Sequence, residues 1–290
     1  MHGRTECETA RPGDLVVTES IGGRVWTSSS GDRVPLRGVL RTADGVAIEA
    51  AYRPPPRGGA DAPVLVVAHG FSGSLDRPAL AGAAEVFGSR AAVVTFSFRG
   101  HGRSGGRSTV GDREVLDLAA AVRWARAQGH RRVATVGFSL GGSVALRHAA
   151  LFGTARGSPQ EGTDAVVAVS APARWYYRGT APMRRLHWAV QRPLGRAVTR
   201  WGLRTRVDAA GWAAAPLSPT QAAPRIAPTP LLVVHGDRDT YFPLDHPRSV
   251  VAAADASCTR LWIEGGFGHA ENAAPPELLD RVARWAVSRI

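Results

Sequence analysis

Short, continuous apolar runs alternate with longer, more polar segments over most of the chain. Six of the apolar runs predict buried strands: Val64–Ala68, Ala92–Phe96, Arg132–Val136, Ala165–Val169, Leu231–Val234 and Arg260–Ile263. The segments that separate them predict helices near Pro78–Phe87, Asp112–Ala127, Leu140–Phe152, Asp245–Ala254 and Pro276–Ser288. Strands that are apolar throughout are covered on both faces, so this alternation predicts an α/β fold with a mostly parallel central sheet.

The region before the first buried strand has a different pattern. Two alternating runs, at residues 34–42 and 46–52, flank Asp44-Gly45, which predicts a β-hairpin. Residues 1–33 are polar with little periodicity, and we treat them as an N-terminal extension. The apolar residues around Val16 and Val25 either add a strand or pack on the domain; otherwise the extension is a loose tail.

The stretch between the fourth and fifth buried strands is too long for an ordinary crossover. We assign residues 171–228 to an inserted helical cap, which leaves residues 34–170 and 229–290 as the core. Two neighbouring helical stripes run through the cap, an arginine stripe and an apolar stripe: Arg192, Arg196, Arg200 and Arg204, and Leu186, Val190, Leu194, Val198 and Trp201. Pro193 is expected to kink this helix or to split it in two.

The positive charge is concentrated in the cap. The chain has a net charge of +12 and contains no lysine, and the cap alone holds ten arginines and one acidic residue, Asp208. Four of the eight tryptophans also lie there. The arginine stripe is interpreted either as a solvated face or as a surface that attracts an anionic substrate or a lipid surface. No nucleic-acid-binding motif is recognisable, so a nucleic-acid partner is not expected.

Composition also limits the location and the chemistry. The chain has no apolar run of the roughly 18 residues that a membrane span needs, and its first residues lack a signal-peptide core. A cytoplasmic location is therefore expected. Cys7 and Cys258 are too few for a disulfide framework, and no metal-ligand spacing is present.

A candidate nucleophile lies in a strand–turn–helix context. Ser139 is the centre of Gly137-Phe138-Ser139-Leu140-Gly141, between a predicted β-branched strand and a predicted helix. A second Gly-x-Ser-x-Gly match is centred on Ser104, but the glycines and the arginine that follow it cannot begin a stable helix. We therefore favour Ser139 as the nucleophile, and we interpret Ser104 as a polar residue in a glycine-rich loop.

Other polar residues follow predicted strands in the same way. His69, Ser139, the Asp237/Asp239 pair and His269 each come shortly after a strand. Since the ligand site of a parallel sheet lies outside the carboxyl ends of its strands, we expect these residues at one edge. A serine hydroxyl needs an imidazole to take its proton and a carboxylate to orient that imidazole, and these residues supply all three groups.

The motifs and their order, serine, then acid, then histidine, resemble those of the α/β-hydrolase superfamily over residues 34–290. The resemblance is to its esterase/lipase and serine aminopeptidase-like branch. It implies that Ser139 is the nucleophile, Asp239 the acid and His269 the base, with Asp237 bracing the turn. It also implies an oxyanion hole made of the backbone N–H groups of Phe71 and Leu140.

Two neighbouring segments carry further expectations. His69 is interpreted as a structural residue that holds the loop after the first buried strand. The segment from Arg99 to Ser104 resembles a loop of the same superfamily, although Ser97 stands where many members carry Asp. The acidic residues Glu114 and Asp117 are interpreted as a solvated or salt-bridged helix face.

The function that these residues predict is a serine hydrolase that cleaves an ester or related acyl bond through an acyl-serine intermediate. The resemblance implies a small-molecule acyl substrate, lipid-like or anionic in one interpretation of the cap, with no cofactor and no metal. Acyl transfer, thioester cleavage and peptide cleavage use the same three side chains and stay open. A non-catalytic binding protein of the same fold is the alternative from another class. The oligomeric state is left open by the sequence.

Overall fold

The computed structural model describes residues 15–20, 23–28, 35–57, 59, 61–153 and 159–290, with the backbone alone described before residue 35. Within these ranges, ten strands form one sheet: β1 Leu15–Ser20, β2 Gly23–Ser28, β3 Leu36–Arg41, β4 Ala47–Arg53, β5 Val64–Ala68, β6 Ala92–Phe96, β7 Val133–Phe138, β8 Ala165–Val169, β9 Leu231–Gly236 and β10 Thr259–Glu264. Their order across the sheet is β1-β2-β3-β4-β6-β5-β7-β8-β9-β10. The pairs among β5 to β10 are parallel, and those from β1 to β4, including β4 on β6, are antiparallel.

The helices cover both faces of this sheet, as the apolar strands require. They are α1 Pro78–Gly88, α2 Glu114–Ala127, α3 Leu140–Phe152, α4 Ala181–Gln191, α5 Pro193–Gly202, α6 Pro219–Ala222, α7 Asp245–Ala253, α8 Ala270–Ala273 and α9 Pro276–Ser288. Alternate residues of β5 enter different cores: Val64 and Val66 pack with α2 and α3, whereas Leu65 and Val67 pack with α1 and α9. The predicted α/β fold with a mostly parallel sheet is confirmed.

The N-terminal extension contributes strands to the sheet. β1 pairs with β2, and β2 pairs with β3, so residues 15–20 form the outermost strand among the described residues on this side of the sheet. The added-strand interpretation is therefore the one that the structure supports for these two segments, while residues 1–14 lie outside the described residues. The predicted hairpin is also present, because β3 and β4 pair across a turn in which Gly45 has a φ of 80°.

Two acidic residues of α2 lie deeper than the sequence pattern indicates. Glu114 and Asp117 are both buried, so the solvated interpretation is wrong. Asp117 accepts hydrogen bonds from the backbone and the guanidinium of Arg99, which makes it the salt-bridged residue of the pair. Glu114 instead accepts hydrogen bonds from Thr109 and Gly111, and it holds the loop after β6.

Proline divides the helical segment between β8 and β9. α4 ends at Gln191 and α5 begins with Pro193, so the predicted split occurs there. Proline suits the first turn of a helix, where its missing N–H would have no partner within the helix. The split separates the predicted apolar stripe into two parts: Leu186 and Val190 of α4 face a cavity, whereas the apolar residues of α5 face outward.

Candidate active site

Ser139 occupies a strained turn between β7 and α3. Its φ of 50° and ψ of −111° lie outside the regions that ordinary residues prefer. The flanking glycines allow the turn to be this tight: a Cβ on Gly137 would lie 2.1 Å from the carbonyl oxygen of Gly141, and one on Gly141 would lie 2.3 Å from that of Ala68. The turn therefore needs glycine on both sides of the serine, in agreement with the strand–turn–helix context of the motif.

A continuous chain of hydrogen bonds joins three side chains that are distant in sequence. His269 Nε2 lies 2.9 Å from Ser139 Oγ, and His269 Nδ1 lies 2.8 Å from Asp239 Oδ2. If Nδ1 carries the proton that bonds to Asp239, Nε2 is free to accept the serine proton. Tyr241 stacks on the imidazole at 4.1 Å between ring centroids, which limits the ring's rotation.

The carboxylate of Asp239 is buried and fully engaged. Its Oδ1 accepts the N–H groups of Tyr241 and Phe242 at 2.8 and 3.0 Å, which leaves Oδ2 for His269. Burial by itself would raise the pKa of Asp239, but the hydrogen bonds from His269 and from Phe242 outweigh it, and the pKa is lowered. Asp239 thus remains ionised beside the imidazole at neutral pH.

Asp237 points to a different group. Its Oδ1 accepts the N–H of Gly266 at 2.7 Å, within the loop that leads to His269. Of the two acids that the sequence left open, the structure brings Asp239 to His269 and uses Asp237 to brace the loop. Ser104 is likewise remote from this chemistry, because its buried hydroxyl donates to the carbonyl oxygen of Ser97 at 2.6 Å and accepts the N–H of Glu49.

The loop after β5 approaches Ser139 through Gly70. A Cβ on Gly70 would lie 3.5 Å from the Cβ of Ser139, so the backbone that leads to Phe71 lies against the serine. His69 Nδ1 lies 2.7 Å from the carbonyl oxygen of Gly70, and the N–H of Phe98 donates to His69 Nε2 at 3.0 Å. Leu140 is the first residue of α3, where backbone N–H groups have no acceptor within the helix.

Glu271 is a site residue that the sequence reasoning missed. Its Oε1 accepts the N–H of Gly70 at 2.8 Å, while Oε2 is buried without a hydrogen-bond partner among the described residues. Burial is the main reason that the pKa of Glu271 is raised. Its position two residues after His269 was the one indication in the sequence that it lies at the site. That indication is weak, because acidic residues in the first turn of a helix are common on protein surfaces.

Two cavities meet at Ser139. The first has a volume of about 210 Å³ and a mostly apolar lining that includes Val110, Leu140, Trp175, Met183, Leu186 and Trp212. The second is larger, about 810 Å³, with a more polar lining that includes Ser72, Arg77, Arg185, His269, Glu271 and Asn272. The serine hydroxyl therefore lies between an apolar compartment and a compartment of mixed polarity.

Known proteins resemble the chain in sequence and in structure. It is 32% identical over 155 residues to the esterase LipC of Mycobacterium tuberculosis (strain ATCC 25618 / H37Rv), a match that covers 48% of this chain and 35% of that relative, so about a third of the relative's length. The esterase Pf2001 of Pyrococcus furiosus superposes with a TM-score of 0.66 at 22% identity, over 87% of this chain and 91% of that one. The α/β hydrolase GrgF from Penicillium sp. sh18 superposes with a TM-score of 0.65 at 19% identity, over 87% and 98% of the two chains. A family model described as the alpha/beta hydrolase fold matches residues 63–211, half of the sequence. The chain belongs to the α/β-hydrolase family.

Proposed function

We propose that the protein is a serine hydrolase that cleaves carboxylic esters through an acyl-enzyme formed on Ser139. The observation that carries this proposal is the hydrogen-bonded series from Ser139 through His269 to Asp239. A hydroxyl becomes an effective nucleophile when an oriented imidazole accepts its proton. The esterase named among the relatives supports the same reaction class.

In the proposed first step, Ser139 Oγ attacks the ester carbonyl carbon as its proton passes to His269 Nε2. The imidazolium that forms is stabilised by the ionised carboxylate of Asp239. The carbonyl oxygen gains negative charge, and the N–H groups of Phe71 and Leu140 are the proposed donors to it. Collapse of the intermediate expels the alcohol, which takes the proton from His269.

In the second step, water attacks the carbonyl carbon of the acyl-serine, and His269 accepts a proton from that water. The acid is released and Ser139 regains its proton. The same residues thus act in both halves, and no metal or cofactor is needed to balance the protons and electrons. We assign the acyl group to the apolar cavity and the alcohol to the larger cavity of mixed polarity, because each cavity reaches Ser139 and their linings differ in polarity.

We also propose that the chain consists of a hydrolase core and an inserted cap. Residues 171–228 act as a cap, since Met183 and Leu186 of α4 and the tryptophans Trp175 and Trp212 line the apolar cavity above Ser139. Residues 34–170 and 229–290 supply the proposed catalytic side chains. No helix within the described ranges is long and apolar enough to cross a membrane. A cytoplasmic location stays a prediction from the sequence.

The test is hydrolysis of p-nitrophenyl esters of increasing acyl length by the wild-type protein and by Ser139→Ala. Turnover by the wild type alone supports the proposal, and the preferred length measures the apolar cavity. Equal turnover by both proteins would contradict it. If neither protein turns over any ester, labelling of Ser139 by a fluorophosphonate would favour a thioester, peptide or transfer reaction on the same residues. Absence of labelling of the folded protein would favour a non-catalytic binding protein.

A further inference from the structure

Helix α5 carries its large apolar side chains on the outside. Leu194, Val198 and Trp201 are 68%, 50% and 77% exposed, whereas Gly195 and Thr199 on the opposite face are buried. A helix on a globular protein usually has the reverse arrangement, with its apolar stripe toward the core. The spacing of four and then three residues places the three side chains on one continuous strip. None of the described residues covers this strip, and an exposed apolar strip of this kind indicates an interaction surface.

The exposed apolar residues are also concentrated in the cap. Within the described residues, nine large apolar side chains are exposed, and six of them lie between residues 171 and 228: Tyr176, Trp188, Leu194, Val198, Trp201 and Leu203. Isolated exposed apolar residues are ordinary on any protein surface, but a cluster of this kind marks an interaction site. Leu194, Val198 and Trp201 line neither cavity, so the strip on α5 is an interaction surface apart from the cavities at Ser139.

Strong positive charge surrounds the same surface. The ten arginines and one aspartate of the cap give it a net charge of +9, so the other 232 residues contribute only +3 of the chain's +12. Arg192, Arg200 and Arg204 are exposed next to the apolar strip, and the Arg200 guanidinium lies 5.1 Å from the centre of the Trp201 ring. Among the described residues, Arg174 is the one cap arginine paired with an acidic side chain, that of Asp245.

These two properties select among the possible occupants. A second copy of the chain would bring two surfaces of like charge together, which disfavours a symmetric dimer through α5. The surface is the outer side of one helix rather than a groove, so it lacks the walls that would recognise one peptide. An anionic lipid surface accepts apolar side chains among its acyl chains while its headgroups bind the arginines, and tryptophan is well suited to that boundary.

We propose that α5 is an interfacial helix that binds the protein to anionic lipid surfaces. Leu194, Val198 and Trp201 insert at the level of the headgroups, and the arginines around them bind lipid phosphates. The larger cavity is lined by Arg185 of α4 and by Leu203 just after α5, and it extends to Ser139. Binding through α5 therefore brings the lipid surface next to the opening of the proposed active site. This binding does not depend on the chemistry proposed for Ser139.

The experiment is sedimentation of the full chain with phosphatidylglycerol/phosphatidylcholine vesicles and with pure phosphatidylcholine vesicles. Three variants are compared with the wild type: Leu194→Ser/Val198→Ser/Trp201→Ser, Arg192→Gln/Arg200→Gln and the control Arg238→Gln/Arg248→Gln. The control removes the same amount of charge from two exposed positions outside the cap. Ser139→Ala is included as well, because it separates lipid binding from hydrolysis.

We expect the wild type, Ser139→Ala and the core control to bind the anionic vesicles equally, and less tightly as salt is raised. Loss of Arg200 on α5 and of Arg192 just before it should weaken binding roughly 20- to 30-fold, since each arginine near an anionic surface contributes about 1 kcal/mol. Loss of the three apolar residues should weaken it at least as much, and all variants should keep the wild-type circular-dichroism spectrum.

Several results would overturn the proposal. One is a folded wild type that does not sediment with anionic vesicles, and another is a core control that loses as much binding as the α5 variants. A third is equal binding to both kinds of vesicle. A concentration-dependent dimer that the α5 apolar substitutions dissociate, without vesicle binding by the wild type, would assign this face to a second copy instead.

Discussion

His69 Nδ1 donates a hydrogen bond to the carbonyl oxygen of Gly70, and that carbonyl belongs to the same peptide unit as the N–H of Phe71. The tautomer follows from the other ring nitrogen, because Nε2 accepts the N–H of Phe98 and cannot itself carry the proton. Burial lowers the pKa of His69 to about 3, so the ring stays neutral across the working range of pH. The histidine thus fixes the plane of the peptide whose N–H we propose as an oxyanion donor.

Replacing His69 with alanine should therefore lower kcat by about tenfold or more while KM changes little. Removal of a direct oxyanion donor costs about 10²- to 10³-fold, and His69 acts one bond away from that donor. Steady-state kinetics on a p-nitrophenyl ester measure the effect, and thermal unfolding of the same sample measures any loss of stability. An unchanged kcat in a folded His69→Ala protein would remove the positioning role.

The two acids near His269 should differ sharply on substitution. Asp239→Asn should lower kcat by about 10⁴-fold, because the amide no longer holds the imidazole in the productive tautomer. Asp237→Asn is the matched control: it alters only the exposed bond to Gly266, and less than a tenfold loss is expected. If Asp237→Asn has the larger effect on kcat, the assignment of Asp239 is wrong.

Glu271 should make stability depend on pH. Its pKa is raised chiefly by burial, against a smaller lowering by the N–H of Gly70. A carboxyl that binds its proton more tightly in the folded state stabilises that state below the ordinary pKa of glutamate, and this benefit is lost as pH rises through the folded-state pKa. The unfolding free energy of Glu271→Gln minus that of the wild type should therefore increase from pH 4 to pH 8.

Urea unfolding at the two pH values measures this difference. The glutamine can still accept the N–H of Gly70, so its kcat is expected to stay within a few-fold of wild type, whereas Glu271→Ala loses that bond. A difference in unfolding free energy that stays constant with pH would show that the Glu271 side chain titrates alike in both states.

The apolar cavity should set the preferred acyl length. Met183 on α4 is buried and lines the cavity near Ser139. Met183→Ala removes about three heavy atoms from the cavity lining, so the preferred p-nitrophenyl ester should lengthen by roughly two or three carbons, each buried methylene contributing about 0.8 kcal/mol. Met183→Trp should shift the preference to shorter esters. Val39→Ala, an exposed change on β3, should leave the preference unaltered.

Local pattern was enough to predict the parallel half of the sheet. The strand from Val64 to Ala68 is apolar at every position, and apart from Thr95 and Thr135 its pairing partners on both sides are apolar or glycine, which favours a central, covered position in the sheet. The turn at Asp44-Gly45 was equally readable, because that dipeptide suits a hairpin. The motifs at His69, Ser139, Asp237/Asp239 and His269 could be placed together because each follows a strand, and the carboxyl ends of parallel strands share one edge of the sheet.

Features that depend on a distant partner could not be predicted in this way. Glu114 and Asp117 resemble surface residues in sequence, and only the loop at residues 108–111 and Arg99 explain their burial. Glu271 meets Gly70 across 201 positions of the chain, a separation over which periodicity carries no information. The sequence pattern predicts the apolar stripe of the cap. It does not indicate whether the part on α5 faces the core or the outside, because periodicity alone does not orient a helix.

The break at Pro193 separates α4 from α5, and these two helices of the cap can change independently. Residues of α4 line the apolar cavity, while the strip on α5 points away from it. Substitutions on α4 can therefore change substrate preference without altering lipid binding. Substitutions on α5 can likewise change lipid binding without altering substrate preference. For engineering, a variant could be released from a lipid surface, or moved to a different one, while its preference for acyl length is kept.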